Sequence, residues 1–183
     1  MASAFAHALM AVTVGKTFSQ KFTGTKFFLL GVFCSVIPDA DVVMHNFVEY
    51  DSFFGHRGFF HSFFFCAVLA IFITGTFYRN EKTFSRIGWM YIIYFFLCGA
   101  SHALLDMLTS GGLGVAIFSP FYNERFFFDW RPIRVSPMSI SHFFSDRAYA
   151  ILASELKWIG IPCAIWMGVM LTVRMIKGEV RTK

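Results

Sequence analysis

With 183 residues, 56% of them hydrophobic and only 15% charged, the chain is too apolar for an ordinary soluble domain and reads as one membrane-embedded domain, residues 1–183. Its 26 phenylalanines are more than a small soluble core can hold, but they suit surfaces that face acyl chains or pack between membrane helices. The net charge of +5 comes from short basic clusters beside apolar stretches, not from a basic face interleaved with aromatics, and this excludes nucleic acid as a partner.

In chain order, Ala2 to Val14 is a short apolar segment with no basic region before it, so it reads as a retained helix and not a cleaved signal. Phe27 to Ile37 is a second short helix. Phe60 to Tyr78, Ile87 to Asp106 and Leu156 to Ile176 each have the length and composition of a transmembrane helix, about 20 residues for a hydrocarbon core of about 30 Å. The expected fold is therefore an all-α polytopic bundle of three full transmembrane helices, two shorter N-terminal helices and an interfacial segment over residues 110–155. Within that segment Ser141 to Ser154 reads as an amphipathic helix, with Phe144, Ala148 and Ile151 opposite Asp146 and Arg147.

Lys16, Lys21 and Lys26, then Arg79, Lys82 and Arg86, and finally the basic tail mark one side of the membrane as cytoplasmic. The loop from Pro38 to Phe59 and the segment from Leu108 to Glu155 then face the periplasm of a bacterial inner membrane. Cys34, Cys66, Cys98 and Cys163 fall one per apolar segment and read as packing residues, not as disulfides or thiolate ligands.

Ionisable groups at membrane depth are costly unless they pair, bind an ion or line a wet cavity. His102 and Asp106, four residues apart, share one helix face and can reach one ion, or else form a simple hydrogen bond between turns. In Pro38-Asp39-Ala40-Asp41, proline ends the preceding helix; in an extended stretch the two carboxylates point opposite ways, with Asp39 the ligand and Asp41 an orienting group or a catalytic base. An Asx-type turn is the bland alternative.

In His56-Arg57-Gly58-Phe59-Phe60-His61, the histidines cannot share a helix face, so the loop must fold His56 back for both to meet one site. Arg57 is a candidate catalytic or substrate-binding residue for a phosphate, or alternatively a headgroup anchor. His7 sits among small residues that let another helix approach. His45 and His142 lack such framing and read as ordinary polar residues. His7, Asp39, His56, His61, His102 and Asp106 give a nitrogen and oxygen donor set for zinc, one ion or two, with manganese or iron fitting as well.

Together His7, Pro-Asp-Ala-Asp at residues 38–41, His-Arg-Gly-Phe-Phe-His-Ser at 56–62 and His-Ala-Leu-Leu-Asp-Met-Leu-Thr at 102–109 resemble the LexA-regulated, membrane-bound metal-dependent hydrolase family. Gly111, Gly112, Pro120, Arg125 and Ser154-Glu155-Leu156 extend the resemblance over almost the whole chain; Phe60 stands where that family usually has threonine. More distantly, the order of ligands is similar to zinc-dependent phospholipase C and single-strand-specific nucleases. That likeness implies Asp39, His61, His102 and Asp106 around one ion, and His7 with Asp106 on a second.

The resulting expectation is a metal-dependent hydrolase acting on a lipid or lipid-linked phosphate at the periplasmic side, with Arg57 or Arg125 steadying the headgroup. The rival is a divalent-metal transport or sensing protein. A third reading has the polar groups merely joining helices.

Overall fold

The computed structural model describes residues 1–19, 22–136 and 148–178, excluding the side chains of residues 44–46. Helix α1 spans Ala4–Gly15, α2 Thr25–Val36, α3 Phe63–Phe77 and α4 Arg86–Met107. Helix α5 runs without interruption from Ala148 to Ile176. Serines start three of them: the side chains of Ser3, Ser62 and Ser85 accept from the amides of Ala6, Phe65 and Gly88, each satisfying one otherwise orphaned donor. In α5, residues Leu156–Gly160 form a π-turn just before Pro162, whose ring and missing N–H disfavour regular α-helical bonding there.

The helices alternate in direction. His7 near the start of α1, Asp39 after α2, His61 before α3 and His102 late in α4 therefore gather at one end of the bundle. Lys16, Lys26, Arg79 and Arg86 fall at the other end. There Arg174, buried near the end of α5, donates to the carbonyls of Lys16 and Phe18 at 2.7 Å each and so ties α5 to the exit of α1. Between the two ends lies an apolar layer of Ala11, Phe27, Cys34, Ala70, Tyr94, Phe95 and Cys98. In it the rings of Phe27 and Tyr94 stack with centroids 3.7 Å apart.

Among the described residues, two helices are long and apolar enough to cross a membrane, Arg86–Met107 and Ala148–Ile176. The expectation of three is corrected at Phe60 to Tyr78. Phe59–His61 is a 3-10 turn and Ser62 is the cap, so α3 keeps 15 residues, about 22 Å of helix. Helix α5 is longer than the expected Leu156 to Ile176 because the helical residues Ala148 to Glu155 continue into it. The rest of the expected surface helix, including Phe144, Asp146 and Arg147, lies outside the described residues, as does His142. Exposed Leu29, Phe72, Ile165 and Leu171 give the helices an apolar exterior.

Residues 108–136 cross the site end without forming a named strand. Their backbone pairs at Thr109 with Ile133 and at Val115 with Phe126, and Ala116 N–H donates to the Arg57 carbonyl at 3.0 Å.

Candidate metal centre

The segment after α2 is not extended. Ile37 stays helical at φ −59 and ψ −30, and Ile37–Asn46 continues as a 3-10 helix. At three residues per turn, Asp39 and Asp41 still leave the axis about 120° apart. They face opposite nitrogens of the His61 ring, Asp39 towards Nε2 and Asp41 towards Nδ1, and so point apart as the extended reading required, on a different backbone.

Asp39 turns inward. Its Oδ1 lies 3.4 Å from His102 Nε2 and 3.6 Å from His61 Nε2, and His61 Nε2 is 3.8 Å from Asp106 Oδ2. One donor atom from each of Asp39, His61, His102 and Asp106 falls within 4.8 Å of all the others. The side chains of His61 and Asp106 are fully buried and Asp39 is 8% exposed. Both Asp39 oxygens, both His61 ring nitrogens and His102 Nε2 lack a hydrogen-bond partner.

The remaining atoms of His102 and Asp106 are hydrogen-bonded, and that of His61 faces a carboxylate. His102 Nδ1 donates to the Ser35 carbonyl at 2.7 Å, which leaves its Nε2 lone pair facing the cluster. His61 Nδ1 lies 3.1 Å from Asp41 Oδ2. Asp106 Oδ1 accepts from the Ala2 amide at 2.8 Å, and its Oδ2 accepts from Arg57 Nε at 3.1 Å. This pattern, one face held and one face offered, is how histidine and carboxylate ligands are oriented around an ion.

His7 stacks on His102 with ring centroids 3.8 Å apart, and its Nε2 stands 3.5 Å from Asp106 Oδ1. It flanks the four-residue cluster from α1. His56 belongs to a different group: its Nδ1 is 2.6 Å from Asp41 Oδ1, and together with His61 these residues form a second cluster behind the first. The fold-back of the His56 loop is achieved at Arg57, with φ 65, rather than by a left-handed glycine. Gly58 serves another need, since a Cβ there would meet the Phe53 carbonyl oxygen at 2.3 Å.

Arg57, expected to hold an anionic group, is itself enclosed. Besides Asp106 it donates from Nη1 to the Gly111 carbonyl at 2.7 Å and from Nη2 to Thr109 Oγ1 at 2.8 Å, and it is 0% exposed. Arg125 spans the loop, donating to the carbonyls of His56 at 2.7 Å and of Tyr50 at 2.9 Å. Asp41 likewise has both oxygens engaged, the second also accepting the Arg57 amide at 3.1 Å. All three hold the cluster and its loop in place.

Burial opposes charge on His61, but its contacts with Asp39 and Asp41 outweigh this and raise its pKa to about 9. For Asp41, burial works the other way and is likewise outweighed, by His56 and His61, so its carboxyl stays below the usual range. Burial wins at His56, whose pKa is lowered despite Asp41.

Sequence reasoning missed Ser35 and Ser3. Ser35 contributes a carbonyl to His102 and a hydroxyl that donates to the His7 carbonyl at 2.9 Å. Ser3 donates from its amide and hydroxyl to Glu155, at 2.5 and 2.6 Å, and so fixes the start of α1 against α5.

Among known proteins, residues 1–179 match the family model described as YdjM inner membrane protein. The chain belongs to the YdjM inner membrane protein family. A relative from Escherichia coli (strain K12), inner membrane protein YbcI, is 33% identical over 174 residues, which cover 93% of this chain and 97% of that protein. No solved structure matches. Membership of the YdjM family and the two helices of spanning length fit a bacterial inner membrane location. The YdjM and YbcI names state a location and no reaction.

Proposed function

We propose that this chain is a membrane-embedded, metal-dependent hydrolase that binds a divalent ion, zinc by donor chemistry, through Asp39, His61, His102 and Asp106. The observation that carries the reading is the spacing of the donor atoms. Separations of 3.4, 3.6 and 3.8 Å are too long for hydrogen bonds. They approach the edges of a tetrahedron, about 3.4 Å for ligands about 2.1 Å from a central zinc. Two imidazoles and two carboxylates suit zinc, and manganese or iron also accept such a set.

An ion held there would supply Lewis acidity and a water of lowered pKa to a phosphoester. The protein's own groups do the rest. Asp41 fixes His61, the Ser35 carbonyl fixes His102, and Arg57 fixes Asp106. His7, with both ring nitrogens lacking a hydrogen-bond partner, is placed to accept a proton beside Asp106 or to hold a second ion with it. Hydrolysis is favoured over transport because the layer beneath the cluster, with Phe27, Cys34, Phe95 and Cys98, has among the described residues no buried charged side chain and only separate hydroxyls such as those of Thr74 and Tyr94.

The test is metal analysis of protein purified in detergent, alongside His102→Ala and Asp106→Ala. One ion per chain, lost in both variants, together with phosphate release from phospholipids or polyprenyl phosphates, is the expected result. Unchanged metal content in both variants would sink the site. Metal flux in liposomes without hydrolysis would replace the enzyme reading with transport.

A further inference from the structure

We infer that the groove along α2 seats the hydrocarbon chain of a phosphate-bearing lipid and delivers its phosphate to Asp39; this rests on the metal-centre reading above. The groove measures about 540 Å³ and is lined by Leu29, Val32, Phe33 and Val36 of α2, then by Ile37, Asp39 and Ala40. All of its lining is uncharged except Asp39, at one end.

Asp39 is also the member of the four-residue cluster whose side chain keeps any exposure, 8% against 0% for His61, and both of its oxygens lack a hydrogen-bond partner. The groove therefore ends against the cluster member nearest the surface, whose two oxygens are themselves buried and face the other ligands. From Leu29 to Val36 the helix rises about 10 Å, so a chain lying along it stays in contact over several methylenes. Leu29 at 64% and Phe33 at 45% exposure leave its wall open to the membrane interior, so a lipid can enter sideways.

Charge gives the order of events. A divalent ion bound among Asp39, His61, His102 and Asp106 adds two positive charges at the groove's end, and an anionic phosphate is then attracted there. A second groove, between α1 and α5, is also apolar, but its acid, Glu155, already accepts from Ser3 through both oxygens.

The experiment uses zinc-loaded full-length protein in dodecyl maltoside and three probes: hexadecyl phosphate, inorganic phosphate and hexadecanol. Hexadecyl phosphate should bind about tenfold or more tighter than either of the others, and chelation should remove that margin. Val36→Trp, which fills the groove, and Leu29→Gln, at an exposed position that spares folding, should each cut the margin while zinc content stays at the wild-type level. Equal binding of hexadecyl and inorganic phosphate, or a margin that survives in both variants, would overturn the groove while leaving the metal centre standing. Wild-type protein that binds no zinc would instead overturn the metal centre, and the groove's role with it.

Discussion

Arg57 and Asp106 form a buried ion pair, Nε to Oδ2 at 3.1 Å, that joins the loop before α3 to the end of α4 directly behind the candidate ligands. Both groups are removed from water, so the pair is worth most as a constraint: losing one partner strands the other. Arg57→Met should destabilise the metal-free protein by about 3–5 kcal/mol. The loss should be smaller with zinc bound, because the ion then compensates Asp106. Thermal unfolding with and without chelator measures both, and an equal loss in the two states would argue against Asp106 as a ligand.

Asp41 acts through His61. Asp41→Asn keeps the shape but removes the charge facing His61 Nδ1, 3.1 Å away. Metal affinity should fall about 10- to 100-fold, the usual cost of losing such a supporting carboxylate, while His102→Ala abolishes binding. Zinc titrations against a competing chelator separate the two. Equal losses would make Asp41 a direct ligand.

Protons should leave as metal binds. His61 is held protonated to about pH 9 in the metal-free site, where burial is outweighed by Asp39 and Asp41, and only neutral imidazole ligates. Affinity should therefore rise with pH up to about 9. The sign for stability is opposite. A pKa raised from 6.5 to about 9 stabilises the metal-free fold fully below 6.5 and loses that contribution as pH rises through about 9. Chelated protein should unfold at progressively lower temperature across that window, whereas His61→Gln should show neither trend.

How far this was legible in the sequence differs from residue to residue. His102 and Asp106 could be paired from their spacing because helical geometry alone puts positions four apart on one face. The length of α3 could not, because hydropathy does not register that Ser62 caps the helix and leaves Phe60 and His61 in a 3-10 turn. Asp39 and Asp41 were separated for the wrong backbone, since both extended and 3-10 geometries part residues two apart. The contacts of Ser35 with His102 and of Gly111 with Arg57 rest on carbonyl oxygens, which every residue carries, so no side-chain pattern announces them. Arg57 invited an anion-binding reading because its motif does not show that Thr109, Gly111 and Asp106 surround it.

Gly112 should tolerate no side chain. Its φ is +91, and an added Cβ would lie 2.5 Å from Arg57 Nη1. Gly112→Ala therefore combines left-handed strain of about 1–2 kcal/mol with displacement of the guanidinium that holds Asp106. The variant should unfold at lower temperature and bind zinc more weakly. Gly168→Ala is the control, because nothing lies within 4 Å of its added Cβ. A Gly112→Ala protein with wild-type zinc affinity would detach the 108–136 segment from the metal centre.

The orientation of the bundle fixes which compartment the candidate metal centre faces. Basic residues at the exits of α1, α3 and α5 favour a cytoplasmic location for that end, which would leave the Asp39 end in the periplasm. Single cysteines can report this without removing native ones, since Cys34, Cys66, Cys98 and Cys163 are all buried. Ala40→Cys stands on an exposed position at the Asp39 end of the groove, and Gly178→Cys on an exposed position just beyond α5. In intact cells a membrane-impermeant maleimide should label the first and spare the second until the membrane is permeabilised. The reverse pattern would put the site in the cytoplasm and change the expected substrate to a lipid phosphate of the inner leaflet.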